Sequence, residues 1–126
     1  MRILIADDDP VVSAALAAIL RTRGHDIVPA FDAMQALMFA MRAPHPDLIL
    51  LDINMPGGTG ITALTKLKAS TKTALIPVIV VSGATDAALP ARVMSMGAVG
   101  FLPKPVQPDG LFRAVNEALG IPEAAG

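Results

Sequence analysis

The stretch PDLILLDINMPGGTG, residues 46–60, decides the fold of this chain. Its first half contains a continuous apolar run, as expected of a strand that is buried on both faces of a parallel sheet. Its second half begins with Asp52 and continues into a loop that is rich in glycine. The stretch therefore predicts a central strand that places a carboxylate at the end of a sheet.

Similar apolar runs alternate with stretches of helical periodicity along the rest of the chain. The predicted strands comprise residues 2–6, 26–29, 47–51, 77–81 and 99–102. The predicted helices lie around residues 12–20, 33–41, 61–67, 86–96 and 111–119, where apolar residues recur at three- and four-residue spacing. Five such alternations predict an α/β fold of three layers, with helices on both faces of a parallel sheet.

Two prolines refine this prediction. Pro29 lies in the second strand, and proline is tolerated mainly at sheet edges, which favours the flavodoxin-like strand order 2-1-3-4-5. Pro90 lies inside the fourth predicted helix, so this helix should start near Leu89 or be kinked. We expect one domain over residues 1–121, followed by a tail or the start of a linker at residues 122–126.

The composition excludes several classes of function. A chain of 126 residues with 53% hydrophobic and 17% charged residues suits a single globular domain. The net charge of −1 and the lack of a basic run argue against direct binding to nucleic acid or to an anionic membrane. The chain has no cysteine, which excludes disulfides, and no segment typical of a signal peptide or a membrane span. The expected location is the cytoplasm.

Polar side chains follow the central strands at the edge where parallel sheets bind their ligands. These residues are Asp7, Asp8 and Asp9 after the first strand, Asp52 and Asn54 after the third, Ser82 after the fourth and Lys104 after the fifth. Clustered carboxylates bind hard divalent cations such as Mg²⁺, and a carboxylate beside such a metal can act as a nucleophile at phosphorus. A lysine ammonium can neutralise phosphoryl charge. The pattern indicates a site that forms an aspartyl phosphate.

Over essentially its whole length the chain resembles the receiver domains of two-component response regulators. The segments that carry the resemblance are, in order, ILIADDDP, PDLILLDINMPGGTG, PVIVVSG and GAVGFLPKP. Each segment alone is a weak signal, whereas the four together are specific. The resemblance implies a phosphoryl-accepting switch of a phosphorelay, which catalyses only its own phosphorylation and dephosphorylation.

The resemblance also implies roles for the acidic residues. Asp52 is the expected phosphoacceptor. Mg²⁺, with Mn²⁺ as a substitute, would bind Asp7, Asp8, Asp52 and the main-chain carbonyl of Asn54. Without the cation, repulsion within the cluster of consecutive aspartates after the first strand should raise their pKa values. Asp9 precedes a proline, so we expect it to cap the first helix rather than to bind the metal directly.

Three further residues have roles that follow from the resemblance. Ser82 would be the switch hydroxyl. Lys104 would bind the phosphoryl group, with a cis bond to Pro105. Phe101 would be an aromatic switch that turns inward as Ser82 moves, although a single aromatic residue at a strand end is also common in a core.

The partners implied by the resemblance are proteins. The phosphoryl donor would be a sensor histidine kinase or a histidine phosphotransfer protein. The switch would act through the face formed by helix four, strand five and helix five on a downstream protein or on an output domain outside this chain. A phosphorylation-dependent homodimer is a further candidate.

Three alternative functions share parts of this pattern. A degenerate receiver would bind partners constitutively, although such proteins usually lose part of the acidic and basic set. A hydrolase of the aspartyl-phosphate type would need a threonine in a DxDxT-like pattern after the first strand, and this chain lacks it. A flavin or nucleotide binder would need a phosphate loop, which is also missing.

The remaining conspicuous residues are interpreted as structural. We interpret Gly57, Gly58 and Gly60 as turn residues, and we expect His25 and His45 to lie at the surface. The methionines of the second and fourth helices are interpreted as flexible packing residues.

Overall fold

The computed structural model describes residues 1–55 and 60–122, in which five strands alternate with five helices. The strands are β1 (Arg2–Ala6), β2 (Asp26–Ala30), β3 (Leu48–Asp52), β4 (Val78–Ser82) and β5 (Gly100–Pro103). The helices are α1 (Pro10–Arg21), α2 (Ala33–Met41), α3 (Gly60–Ala69), α4 (Leu89–Ser95) and α5 (Pro108–Leu119). Among the residues described, no helix has the length and apolarity needed to cross a membrane.

The five strands form one parallel sheet in the order β2-β1-β3-β4-β5. The predicted flavodoxin-like fold and strand order are therefore confirmed. Pro29 lies in β2 opposite Ile5 of β1. Because β2 has a neighbour on one side only, a residue without an amide N–H is tolerated there.

Alternate residues of the strands pack into two separate apolar cores, one on each face of the sheet. Ile3 and Ile5 of β1 belong to the core covered by α1 and α5. Leu4 and Ala6 of the same strand belong to the core covered by α2, α3 and α4. A strand that is buried on both faces needs an uninterrupted apolar run, and this explains the LILL stretch of β3.

The strands β3 and β4 end one residue later than predicted, at Asp52 and Ser82. Asp52 is in register with Val81 of β4, and Ser82 is in register with Pro103 of β5. The pairing with neighbouring strands thus extends to the polar residues themselves. Both side chains are consequently held by the sheet rather than by a loop.

Helix α4 is shorter than the predicted 86–96, because it begins at Leu89 and ends at Ser95. Pro90 lies in its first turn, where the missing N–H would have no partner within the helix. Before the helix, the Asp86 carboxylate accepts a hydrogen bond from the Ala88 amide at 2.9 Å. The prediction that the helix starts near Leu89 is confirmed.

The structure corrects the predictions for His25 and for the methionines of α2 and α4. His25 is only 8% exposed, whereas His45 is exposed as expected. Met34 on α2 and Met94 on α4 point largely to solvent, with 71% and 46% of their surface exposed. The packing interpretation is therefore wrong for these methionines, because the helix faces toward the sheet are occupied by alanine, leucine and valine.

The buried His25 makes the stability of the fold sensitive to pH. Burial lowers its pKa below the usual 6.5, and the nearby positive N-terminus lowers it further. A hydrogen bond with the main chain of Met1 raises the pKa but does not reverse the shift. Between the lowered pKa and 6.5, the unfolded chain binds more protons than the folded chain. The contribution of His25 is therefore intact above 6.5 and is lost as the pH falls below it.

We expect the free energy of unfolding of the wild type to fall more steeply than that of His25→Gln between about pH 7 and about pH 5. Urea unfolding at several pH values measures this difference. His45→Gln is the matched control, because it makes the same substitution at an exposed position. Parallel profiles for His25→Gln and the wild type would contradict the prediction.

Candidate functional site

The three consecutive aspartates after β1 differ in burial and in structural role. Asp7 is 2% exposed, and its Oδ1 accepts a hydrogen bond from the Asp9 amide at 2.9 Å. Asp9 caps α1, since its Oδ1 accepts the amides of Val11 and Val12 at 2.9 and 3.4 Å. The predicted capping role of Asp9 is confirmed, and Asp7 and the exposed Asp8 are left for the site.

Asp52 brings a third carboxylate to Asp7 and Asp8. One carboxylate oxygen from each residue lies within 4.8 Å of the others. Asp52 is 4% exposed, and its Oδ1 accepts the amide of Asn54 at 3.2 Å. Oxygen atoms at this spacing are suited to a hard divalent cation, and the exposed Asp8 leaves the cluster open to solvent on one side.

Lys104 places an ammonium group against the two buried carboxylates. Its Nζ donates to Oδ2 of Asp7 at 2.9 Å and lies 3.5 Å from Oδ2 of Asp52. The main chain of Lys104 is fixed as well, because its amide donates to the Ser82 carbonyl at 2.9 Å. The bond to Pro105 is cis, as expected.

The electrostatics of the site favour protonation of Asp52 and charge on Lys104. Burial raises the pKa of Asp52 above 3.8, although the hydrogen bond from the Asn54 amide and the charge of Lys104 each lower it. The charge of Asp7 raises the pKa further. Burial alone would lower the pKa of Lys104, but the hydrogen bond to Asp7 and the charge of Asp52 raise it overall. Burial rather than repulsion is therefore the largest cause of the raised pKa of Asp52.

Ser82 and Phe101 lie on the neighbouring strands β4 and β5. Ser82 is fully buried at the end of β4, and its Oγ accepts the Ala84 amide at 3.0 Å. Phe101 lies two residues before Pro103 on β5, is half-buried, and packs against the core under α2, α3 and α4. It also lines a hollow of about 310 Å³ between β5 and α5. Phe101 therefore adjoins the surface formed by α4, β5 and α5, which we call the distal face, rather than the carboxylates.

An apolar groove adjoins the site on the side of α1. It has a volume of about 470 Å³ and is lined by α1 residues that include Val11 and Ile19 and, on the other side, by Lys104, Pro105 and Val106. Lys104 therefore borders the groove as well as the carboxylate cluster. A protein bound in the groove would contact Lys104, whose ammonium lies 3.5 Å from Asp52.

Gly60 is the first residue of α3 rather than a turn residue, so the interpretation from the sequence is wrong for this glycine. Its amide donates to the Ile53 carbonyl at 2.7 Å. A Cβ atom at Gly60 would lie 2.5 Å from Ile53 Cα and would also meet the carbonyl of Asp52. The start of α3 thus packs against the main chain of Asp52 and Ile53. Gly57 and Gly58 lie outside the described residues.

The fold and the site together define a class of protein, a flavodoxin-like domain with an acidic cluster, partly open to solvent, and a lysine at the ends of its strands. The sequence profile of the response regulator receiver domain matches residues 3–116. The chain therefore belongs to the response regulator receiver domain family of two-component signalling.

Relatives of this family are similar to the chain in sequence and in structure. Protein PilH of Pseudomonas aeruginosa is 35% identical over 94% of this chain and 97% of its own length. The DNA-binding response regulator MtrA of Mycolicibacterium smegmatis is also 35% identical over 94% of this chain, which spans only 50% of MtrA. Among solved structures, the NtrX receiver domain of Brucella abortus has a TM-score of 0.85 at 31% identity, covering 95% of this chain and 99% of that one. The chemotaxis protein CheY4 of Vibrio cholerae has a TM-score of 0.85 at 25% identity, covering 94% and 98%.

The close approach of Gly60 to the end of β3 predicts the effect of a single methyl group. We expect Gly60→Ala to lower the free energy of unfolding by about 1–3 kcal/mol, because the new Cβ displaces main chain rather than a flexible side chain. Thermal and urea unfolding measure this loss. Gly110→Ala is the control, since no atom lies within 4 Å of a Cβ there and alanine favours the α5 helix. Equal effects of the two substitutions would contradict the prediction.

The raised pKa of Asp52 predicts that its charge opposes folding. Between 3.8 and the raised value, the folded chain binds more protons, so the contribution of Asp52 to stability falls as the pH rises. We expect Asp52→Asn to raise Tm at neutral pH in the presence of EDTA. A gain of about 1 kcal/mol would correspond to about 3–6 °C for a domain of this size.

Asp26→Asn is the control for this measurement, because it removes the same charge at an exposed position of the edge strand. A lower Tm for Asp52→Asn than for the wild type would show that the charge stabilises the fold.

Proposed function

We propose that this chain is a phosphoryl-accepting switch in which Asp52 is phosphorylated. The observation that carries the proposal is the position of the Asp52 carboxylate, buried at the end of β3, 3.5 Å from the Lys104 ammonium and next to Asp7 and Asp8. A nucleophilic carboxylate, a fixed cation and further metal-ligating oxygens are the groups that phosphoryl transfer requires.

The reaction transfers a phosphoryl group from a phosphohistidine of a partner to Asp52. An Asp52 carboxylate oxygen attacks phosphorus, the bond between phosphorus and the imidazole nitrogen breaks, and the nitrogen keeps the electron pair. Lys104 neutralises charge on the phosphoryl oxygens from its position between Asp7 and Asp52. Hydrolysis of the resulting acyl phosphate by water returns the carboxylate and releases inorganic phosphate.

The donor set of the cluster fits Mg²⁺, with Mn²⁺ as a substitute. Three carboxylates face one ammonium, so the cluster lacks positive charge, and all of the carboxylate ligands are oxygen atoms. Asp7, Asp8, Asp52 and the main-chain carbonyl of Asn54 would hold the ion. When bound, Mg²⁺ would neutralise charge on the carboxylates and on the phosphoryl group.

Phosphorylation would then act on the distal face through Ser82 and Phe101. The Ser82 hydroxyl now accepts the Ala84 amide, and a phosphoryl group on Asp52 would offer it a stronger, charged acceptor. The hollow between β5 and α5 gives the Phe101 ring space to move. Because the new contacts exist only in the phosphorylated state, they bias the populations of two conformations of α4, β5 and α5.

We infer the following partners from this chemistry. The donor is a sensor histidine kinase or a histidine phosphotransfer protein, for which the groove beside Lys104 offers an apolar surface next to Asp52. The target is a downstream protein or an output domain outside this chain, and a phosphorylation-dependent homodimer through α4, β5 and α5 is a further arrangement. The switching unit comprises residues 1–121.

Incubation with acetyl phosphate and Mg²⁺ tests the phosphorylation of Asp52. We expect intact-mass analysis to show one added phosphoryl group on the wild type and none on Asp52→Asn. Asp8→Asn should slow the reaction by about tenfold or more, and EDTA should abolish it, because the metal site is then weakened or empty. The rate is followed by mass against time.

Asp9→Asn is the matched control, because it changes a neighbouring acid that caps α1. This variant should be phosphorylated like the wild type. The absence of an adduct on the folded wild type in Mg²⁺ would refute the proposal and favour a receiver that binds its partners constitutively. An adduct that persists in Asp52→Asn would place the acceptor elsewhere.

A further inference from the structure

The outward face of α2 is unusual because the helix has no charged side chain. Its sequence is AMQALMFAM, whereas each of the other four described helices carries at least one charged residue. A helix on the outside of an α/β domain ordinarily exposes charged residues on the face opposite the core. The composition of α2 therefore suits a helix that is covered on both sides.

The exposed residues of this helix form a continuous apolar surface. Met34 and Met38 lie one turn apart and are 71% and 48% exposed, and Phe31, just before the helix, is 41% exposed. We call these three residues the α2 face. Exposed apolar patches mark contact surfaces, and methionine adapts its shape readily to a partner.

A groove of about 230 Å³ lies at the opposite end of the same helix. Its lining is mainly apolar and includes Val28 of the edge strand, Phe39 of α2, Ala43 and Pro44, and two cationic side chains, Arg2 and Arg42, line it as well. A cavity of about 150 Å³ is large enough for a benzene ring. One end of α2 thus carries an exposed phenyl ring, and the other end carries a groove that can hold one.

The charges at the two ends of α2 are opposite. Asp32 caps the N-terminus and accepts the Gln35 amide, and Arg42 follows the C-terminus with its guanidinium 5.9 Å from the centre of the Phe39 ring. In an antiparallel pair of such helices, Asp32 of each copy lies opposite Arg42 of the other. An antiparallel pair thus brings unlike charges together at both ends, whereas a parallel pair would bring like charges together, and a two-fold interface has the former arrangement.

We propose that a second copy of this chain docks antiparallel on the α2 face. The two-fold axis passes near Met38, so that the Met38 side chains of the two copies meet. Phe31 of each copy enters the groove beside Ala43 and Pro44 of the other, because these positions lie at similar distances from the helix centre. Asp32 and Arg42 close the interface at both ends.

The size of this surface sets the expected strength of the contact. Stable interfaces bury about 1,200–2,000 Å² in total, and one helix of nine residues with its flanks offers less. The dimer should therefore be in equilibrium with the monomer at micromolar to millimolar concentrations of the chain. None of the contacts involves Asp52 or Lys104, so the dimer does not depend on phosphorylation.

Sedimentation velocity of the unphosphorylated chain in EDTA, over a range of concentrations, tests the proposal. We expect reversible dimerisation that Met38→Glu and Phe31→Ala each weaken by about tenfold or more, the former because two like charges meet at the axis. Met94→Glu is the matched control, because it introduces the same charge at an exposed methionine of α4 and should leave the dimer unchanged. Circular dichroism verifies that each variant is folded.

A charge exchange tests the antiparallel orientation. Arg42→Glu and Asp32→Lys should each weaken self-association, whereas a mixture of the two variants should form a heterodimer in which both ion pairs are restored. A chain that stays monomeric at every concentration would overturn the proposal. So would a dimer that Met94→Glu disrupts and Met38→Glu does not, since it would lie on the distal face. Phosphorylation of Asp52 is measured separately, so its failure would leave this result unaffected.

Discussion

The ion pair between Lys104 and the buried carboxylates of Asp7 and Asp52 is the interaction on which the site depends. Two carboxylates this close to a core would repel each other and lose hydration, and either effect alone favours the neutral acids. The ammonium at 2.9 and 3.5 Å offsets both costs in part. Burial still raises the pKa of Asp52, so the compensation is incomplete and leaves a carboxylate that gains from a further cation.

The sheet makes this arrangement possible because it fixes the main chain of the residues that carry the charged side chains. Asp52 is the last residue of a strand paired on both sides, and the Lys104 amide bonds to the Ser82 carbonyl of the adjacent strand. Gly60 then lets α3 begin against the carbonyl of Asp52. The main chain that carries the charged side chains is thus held by buried neighbouring residues. The positions of Asp52 and Lys104 therefore depend on few contacts between side chains within the site.

The α2 face and the acidic cluster are connected through β2. The Asp7 amide donates to the carbonyl of Ala30, the residue that precedes Phe31. The proposed dimer surface thus begins one residue from a hydrogen-bond partner of the acidic cluster. The distal face of α4, β5 and α5 lies at the other edge of the sheet. The α2 face and the distal face therefore lie toward opposite edges of the sheet.

Much of the fold and most of the site followed from the sequence alone. Uninterrupted apolar runs specified strands buried on both faces, Pro29 specified the edge strand, and the polar residues after the central strands specified which side chains meet. These features are local, because each depends on residue type and periodicity. The tertiary structure alone decided which atoms of Lys104, Asp7 and Asp52 are in contact, that His25 is buried, that Gly60 touches the end of β3 and that the α2 methionines face solvent. The physical reason is that burial and approach are set by what packs opposite a residue, and residues distant in the chain supply that neighbour.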